Sequence, residues 1–433
     1  MIDLGLKRIT RLVRDQGKFP WRAIHVAGTN GKGSVCAYIS SCLKSSGIPS
    51  ARFTSPHLVD RWDCITLNGA VVSEELFLVT EAAIKKKNAR EGIGASEFEI
   101  LTATAFEIFS REKVDLAVVE VGLGGRLDAT NVIEPPVAAV ITKIGLDHQA
   151  LLGSTLEEIA REKGGVIKVG SRCIVDGTNE EKVLSVLGRM AEEVGVESFH
   201  AIRPEAVDRE GEGGGSICEI TTEAFGRQRF EGFLTGAYQP ANLSCAVHAL
   251  SYLSREYPSI TASTVLDGVR NTSWPGRMDM VDLSCLFPGQ GKRVLLDGAH
   301  NTQAALALSD YVTKELRAGG GFVSWTVSAS KGKDIKEMLR ILLRSGDKAV
   351  AVEFGSVDGM PWVAAASTED IVSAIREVFG EEVEVIDGGK DVLGGVKMAL
   401  KLAGEEGHTV VAGSLYLAGD LIRLLRRAEK ECE

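Results

Sequence analysis

AIHVAGTNGKGSVCAYIS, residues 23–40, joins an apolar run (Ile24 to Ala27) to the loop Gly28-Thr29-Asn30-Gly31-Lys32-Gly33-Ser34 and then to a helix-compatible segment. Strand, glycine loop and helix in that order bring backbone N–H groups and a helix N-terminus to one point, where an anion is stabilised. Lys32 adds a point charge for phosphate oxygens, and Ser34 a hydroxyl for a companion magnesium ion. Two details depart from the general phosphate-loop pattern: the first glycine is closer than usual, and Gly33 stands directly after the lysine, where a hydroxyl residue is common. An ordinary glycine-rich turn is the alternative. Strand, lysine, hydroxyl and helix together favour a nucleotide phosphate site.

Outward from this stretch the chain alternates. Val35 to Ser46 reads as helix, closed by Gly47 and Pro49, and Arg52-Phe53-Thr54 as a second strand. Ser73 is placed to cap a helix through Arg90, and another helix is expected over residues 97–111. Asp115 to Val121 is a nearly continuous apolar strand, the mark of a strand covered on both faces. Val137 to Lys143 repeats it, followed by Asp147-His148 and a helix from about Ser154 to Val166. This order predicts an α/β fold, a doubly wound, mostly parallel sheet of the phosphate-loop type. Residues 207–216 (VDREGEGGGS), polar and glycine-rich, with short alternating runs at 217–222 and 227–234, suggest a β-hairpin with a mobile loop. Helices are expected near 240–256 and 261–270. Trp274-Pro275-Gly276-Arg277 then breaks the pattern, so a boundary is placed there, with one domain over 1–273 and a smaller α/β domain over 274–433. In the latter, strands are expected at 293–297, 322–327, 347–353, 383–387 and 408–412, and a last amphipathic helix from Leu415.

A chain of 433 residues exceeds a single core of usual size, which agrees with two domains. The net charge of −10 argues against nucleic acid or an anionic membrane as partner. Eight cysteines without a CxxC pair suit reduced, buried thiols and not a disulfide frame or zinc site. The start, MIDLGLKRIT, lacks the apolar core of a secretion signal, and no run approaches transmembrane length, so the cytoplasm is expected.

In doubly wound sheets ligands sit at the carboxyl ends of strands. Ser55-Pro56-His57, Glu120 and Asp147-His148 all follow predicted strands, as the glycine loop does. A carboxylate at a strand end is what magnesium needs beside a phosphate loop. Each has a plainer reading: a turn residue for Ser55, a paired carboxylate for Glu120, a structural histidine for His148. Lys163 near a helix C-terminus is favoured there by the helix dipole alone. Asp297-Gly298-Ala299-His300-Asn301 forms a further strand-end cluster in the second domain, where Asn301 also suits an N-cap.

GTNGKGS (28–34), SPHL (55–58), FEILTATAF (98–106), EVGLGGRLDATN (120–131), DH (147–148), REKGGVIK (161–168), WPGR (274–277), DGAHN (297–301) and GSLYLAGD (413–420) occur in order over nearly the whole chain. The sequence resembles the folylpolyglutamate synthase / dihydrofolate synthase branch of the Mur ligase superfamily. The resemblance implies an ATP-dependent ligase, with its active site in the cleft between the domains, that adds L-glutamate to a folate or dihydropteroate carboxylate. It implies that Ser34, Ser55, Glu120 and His148 hold magnesium (two ions), with Lys163 joining them if carbamylated. Residues 28–34 with Asn242, Arg277, Asp297 and His300 fall to the nucleotide, and Lys32, Lys163 and His300 to catalysis. Phe98, Thr102, Asp128 and Ser414 fall to the acceptor side. A monomer is expected. The chain departs from the family pattern at Trp62-Asp63-Cys64-Ile65, at Ser96-Glu97-Phe98-Glu99 and over Ser328 to Asp334, which leaves the ATP and metal positions untouched. Rival readings are a Mur-type ligase with another carboxylate acceptor, a simple NTPase or switch, and a non-catalytic homologue. A UDP-sugar ligase is disfavoured because the loop begins near residue 28, leaving no room ahead of it for a separate UDP-binding domain.

Overall fold

The computed structural model describes residues 4–14, 17–209, 216–287, 293–405 and 407–432. By their internal contacts these divide into two units: residues 1–57, 62–234 and 238–273 form the first, and residues 58–61, 235–237 and 274–433 the second.

The first unit is built on an eight-stranded sheet ordered β4-β3-β2-β5-β1-β6-β7-β8. Its strands are β1 (Arg22–Ala27), β2 (Ser50–Phe53), β3 (Ile65–Leu67), β4 (Ala70–Val71), β5 (Leu116–Glu120), β6 (Ala138–Ile141), β7 (Arg172–Asp176) and β8 (Ser198–Ile202). β1 lies at the centre, parallel to β5 through Ile24↔Val118 and to β6 through Ile24↔Ala138. β5 is buried along its whole length, as a strand covered on both faces must be. Each fully buried Leu or Val there contributes about 1.5–3 kcal/mol. The helix Lys32–Ser45 covers this centre and buries Tyr38, whose hydroxyl accepts from the Leu234 N–H at 2.9 Å. The chain leaves β1 toward β2 on one side and later returns to β6 on the other. The end of β1 is therefore a switch point, where a crevice opens at the carboxyl ends of the strands.

Local sequence sets the helix starts. Ser73 accepts from the Leu76 N–H to begin Glu74–Arg90. Ser96 and Glu99 form a capping box for Glu97–Arg111, and Thr155 and Glu158 another for Leu156–Gly164. The sheet is not parallel throughout, since β2-β3 and β3-β4 are antiparallel. A separate antiparallel sheet joins β9 (Ala206–Arg209), β10 (Ser216–Thr222) and β11 (Gly226–Phe230). The hairpin expected there is present as β10 and β11. Residues 210–215 of the glycine-rich stretch lie outside the described residues.

The second unit has a six-stranded sheet, β12-β13-β17-β14-β15-β16. These are β12 (Asp279–Asp282), β13 (Arg293–Leu296), β14 (Val323–Val327), β15 (Lys348–Ala351), β16 (Glu384–Asp387) and β17 (His408–Ala412). Only β12 runs antiparallel, against β13. Buried Asp347 ties this sheet together, accepting from Val323 N, Trp325 Nε1 and Arg344 N.

Candidate active site

The loop after β1 is held from below by the chain leaving β6. Thr29 N and Asn30 N donate to the Lys143 carbonyl, at 2.8 and 3.2 Å. Thr29 Oγ1 donates to the Gly145 carbonyl and accepts from Gly145 N. Thr142 Oγ1 donates to the Asn30 carbonyl at 2.8 Å. Gly28 is required here: a Cβ on it would stand 1.8 Å from Thr142 Oγ1. Gly31, at φ +95°, is the N-cap of Lys32–Ser45 and leaves its place open to Asn242 Oδ1, 2.3 Å from where a Cβ would be.

Glu120 ends β5, buried, with Oε1 3.8 Å from Lys32 Nζ and Oε2 accepting from Ser55 N at 3.3 Å. Lys163 is also buried, and its Nζ donates to the Gly28 carbonyl at 2.8 Å. Burial first, and the charge of Lys32 second, lower the Lys163 pKa to about 7, although Asp147, Asp128 and Glu120 pull the other way. The phosphate-loop residues, Glu120, Ser55 and Lys163 thus come together at the ends of β1 and β5. His148 follows β6, in a left-handed conformation with about half its side chain exposed and its Nε2 3.9 Å from Asp147.

Two glycine contacts explain why EVGLGGRLDATN and REKGG fit together. A Cβ on Gly125 would meet the Lys163 and Glu162 carbonyls, and one on Gly165 would meet Arg126. Arg126 N donates to the Glu162 carbonyl at 2.8 Å across that seam. Asp128 lies inside the loop, accepting from Leu123 N, Thr130 N and Thr130 Oγ1. Thr102 Oγ1 donates to the Phe98 carbonyl within its own helix. Both residues therefore have their polar side-chain atoms bonded within the protein. Phe98 covers the start of the same loop, its ring within 2.3 Å of where a Gly122 Cβ would be.

Within the second unit, Asp297 immediately follows β13 and accepts from Met278 N and Ala299 N, both at 2.7 Å. Burial raises its pKa, and Arg277 opposes that. A Cβ on Gly298 would fall 2.2 Å from Arg277 Nη1, so WPGR and DGAHN form one packed corner. His300 Nδ1 pairs with the Gly298 carbonyl at 2.8 Å, and Asn301 caps the next helix through Ala304 N. Ser414 is buried, its Oγ accepting from Tyr416 N at 3.2 Å.

The family described as "Dihydrofolate synthetase, C-terminal domain" matches residues 282–424. A probable dihydrofolate synthetase of Schizosaccharomyces pombe is 42% identical over 98% of this chain and 99% of its own length. The chain belongs to the dihydrofolate synthetase / folylpolyglutamate synthase family. Members of that family also share its fold. Mycobacterium tuberculosis folylpolyglutamate synthase complexed with ADP superposes with a TM-score of 0.81 at 27% identity, covering 98% of this chain and 95% of that one. A bifunctional folylpolyglutamate synthase/dihydrofolate synthase from Yersinia pestis, complexed with AMPPNP and Mn, does so with a TM-score of 0.75 at 26% identity, over 98% and 94%.

The donors present suit the ions of a metal–nucleotide site. The Glu120 carboxylate and the hydroxyls of Ser34 and Ser55 are hard oxygen ligands, which magnesium and manganese prefer. Among the described residues no group of three or more His, Cys, Asp and Glu forms a self-sufficient metal cage. A cation here needs phosphate oxygens to complete its shell, as magnesium usually does. Carbamylation of Lys163 would require a neutral amine, and burial lowers this lysine's pKa to about 7.

Sequence reasoning missed Gln239 and Thr142. Gln239 is fully buried and donates to Ser34 Oγ at 3.2 Å. Its neighbour Asn242, expected near the nucleotide, lies against Gly31. The only sequence hint was the QPAN run at a helix start.

Proposed function

We propose that this chain is an ATP-dependent ligase that joins L-glutamate to the carboxylate of dihydropteroate, with reduced folates as alternative acceptors. The observation that carries the reading is the convergence of residues 28–34, Glu120 and Lys163 at the ends of β1 and β5. The match to a dihydrofolate synthetase domain and the 42% identical relative support dihydropteroate. The bifunctional Yersinia enzyme supports the second acceptor class.

A carboxylate does not condense with an amine in neutral water, because oxide is too poor a leaving group. Transfer of the ATP γ-phosphoryl group to the carboxylate gives ADP and an acyl phosphate. The glutamate amine then attacks the acyl carbon, and phosphate departs. Negative charge builds on the transferring phosphoryl group, and Lys32 with the loop N–H groups is placed to receive it. Ser34, Ser55, Glu120, His148 and carbamylated Lys163 would hold the magnesium ions, whose positive charge offsets that of the phosphates. In this reading Arg277, Asp297 and His300 also serve the nucleotide, and exclusion of water would keep the acyl phosphate from hydrolysis.

The reading includes a monomeric enzyme of the cytoplasm. Seven cysteines among the described residues are free, which suits a reducing compartment. No helix among the described residues is long and apolar enough to cross a membrane.

The test supplies ATP, magnesium and glutamate with dihydropteroate, tetrahydrofolate or no acceptor, and reads ADP release and product mass. Acceptor-dependent ADP release with a glutamate-mass gain on dihydropteroate is expected. Equal ADP release without acceptor would make the chain a simple NTPase instead.

A further inference from the structure

We infer that Gln239, held by Asn242, is a positioning residue that orients the Ser34 hydroxyl toward the divalent cation. Asn242 Nδ2 donates to Gln239 Oε1 at 3.2 Å, which turns the Gln239 amide so that its Nε2 faces Ser34. That Nε2 then donates to Ser34 Oγ at 3.2 Å. Among the described residues Ser34 Oγ makes this one hydrogen bond, so a second lone pair and the hydroxyl proton remain uncommitted. A hydroxyl oxygen that receives a donor on one lone pair offers the other in a fixed direction. Gln239 is 0% exposed and Asn242 4%, so water does not compete for either amide.

The pair is anchored at both ends. Asn242 Oδ1 fills the space that a Gly31 side chain would take, 2.3 Å from that Cβ position. Ser34 stands three residues further along the same loop and helix start. One amide thus packs on the glycine that lets the loop turn, and the next sets the hydroxyl that the turn presents. A buried glutamine costs desolvation, and such groups are kept satisfied when they orient a ligand.

The inference rests on the metal–nucleotide reading of the loop, and the experiment separates the two. Mn2+ is titrated into the protein with AMPPNP and followed by its electron paramagnetic resonance signal. Nucleotide affinity without metal is measured in parallel. Q239M, close in size but with no donor, is expected to weaken Mn2+ binding by about 10-fold or more, as loss of an orienting partner does. Metal-free nucleotide affinity should change by no more than about twofold, because no phosphate-contacting group of the loop is removed. In an S34A background Q239M is expected to have no further effect. A loss that persists undiminished beside S34A, or unchanged Mn2+ binding in Q239M, overturns the relay. Q239H keeps a ring N–H for Ser34 and is expected to retain most of the affinity. Mn2+ binding by Q239H as weak as in S34A also overturns it. Failure of the unsubstituted protein to bind Mn2+ with nucleotide overturns the metal–nucleotide reading and the relay with it.

Discussion

Lys163 Nζ donates to the Gly28 carbonyl across 2.8 Å, which pins a buried amine to the first residue of the phosphate loop. Burial holds its pKa at about 7, far below the ordinary lysine value of 10.5. Between those values the unfolded chain keeps a proton that the folded chain has released. Stability therefore rises with pH across that window and gains nothing from this residue below it. Urea unfolding of wild type and K163M at pH 6 to 9.5 checks the sign. The stability difference in favour of wild type should grow above pH 7. A flat difference would mean that Lys163 keeps its proton. In bicarbonate labelled with 13C, a carbamate resonance is expected from wild type and not from K163M.

The contact between Gly28 and Thr142 leaves no room for a methyl group. G28A places Cβ 1.8 Å from Thr142 Oγ1, at φ +150°, where side chains are strained in any case. The loop must move off the end of β6, and overpacking of this kind costs about 1–3 kcal/mol. A lowered melting temperature and loss of nucleotide binding are expected. T142A added to G28A should restore part of the melting temperature, because the nearest clashing atom is then gone.

Much of this was legible in the sequence, and the reason is local. β1, the loop and its helix carry their signals within residues 23–45, and β5 reads as a buried strand from LAVVE alone. Ser73, Ser96 and Asn301 announce helix starts through side chains that reach only a few residues ahead. β3 and β4 were missed although Asn68-Gly69 takes the left-handed pair of conformations that a tight hairpin demands. β7, β8 and the helix Glu181–Val194 were not assigned, nor was β12, whose pairing with β13 runs opposite to the rest of its sheet. In the candidate site, the motif residues that the structure brings together around Gly28, Glu120 and Lys163 each sit in short runs of sequence. Gln239 meets Ser34 across 205 residues, and Thr142 meets Asn30 across 112, separations that no spacing rule reports.

Glu120 is buried, with Lys32 Nζ 3.8 Å from one carboxylate oxygen and the Ser55 N–H donating to the other. E120Q keeps the shape and the acceptor for Ser55 but removes the charge. Turnover at ordinary magnesium is expected to fall on the order of 100-fold, the usual effect of removing one preorganised electrostatic group. Raising magnesium should recover part of it. Steady-state rates across a magnesium series decide the matter, and normal turnover at low magnesium would remove Glu120 from the ligand set.

Gly298 gives the second unit a test of its own. A Cβ there would fall 2.2 Å from Arg277 Nη1 and 2.9 Å from Leu415 Cδ1. The first atom ends a flexible side chain and can swing away, but the Leu415 Cα at 3.1 Å is backbone and must give, so G298A is expected to fold with a modestly lowered melting temperature. Arg277 would then leave its place beside Asp297, where its charge acts on the buried carboxyl. If Arg277 serves the nucleotide, its displacement forfeits one charge-assisted hydrogen bond, about 1.5–3 kcal/mol, or roughly 10- to 100-fold in the KM for ATP. The KM for glutamate should change much less than the KM for ATP. Equal rises in both would instead point to a general distortion of the corner formed by residues 274–277 and 297–301.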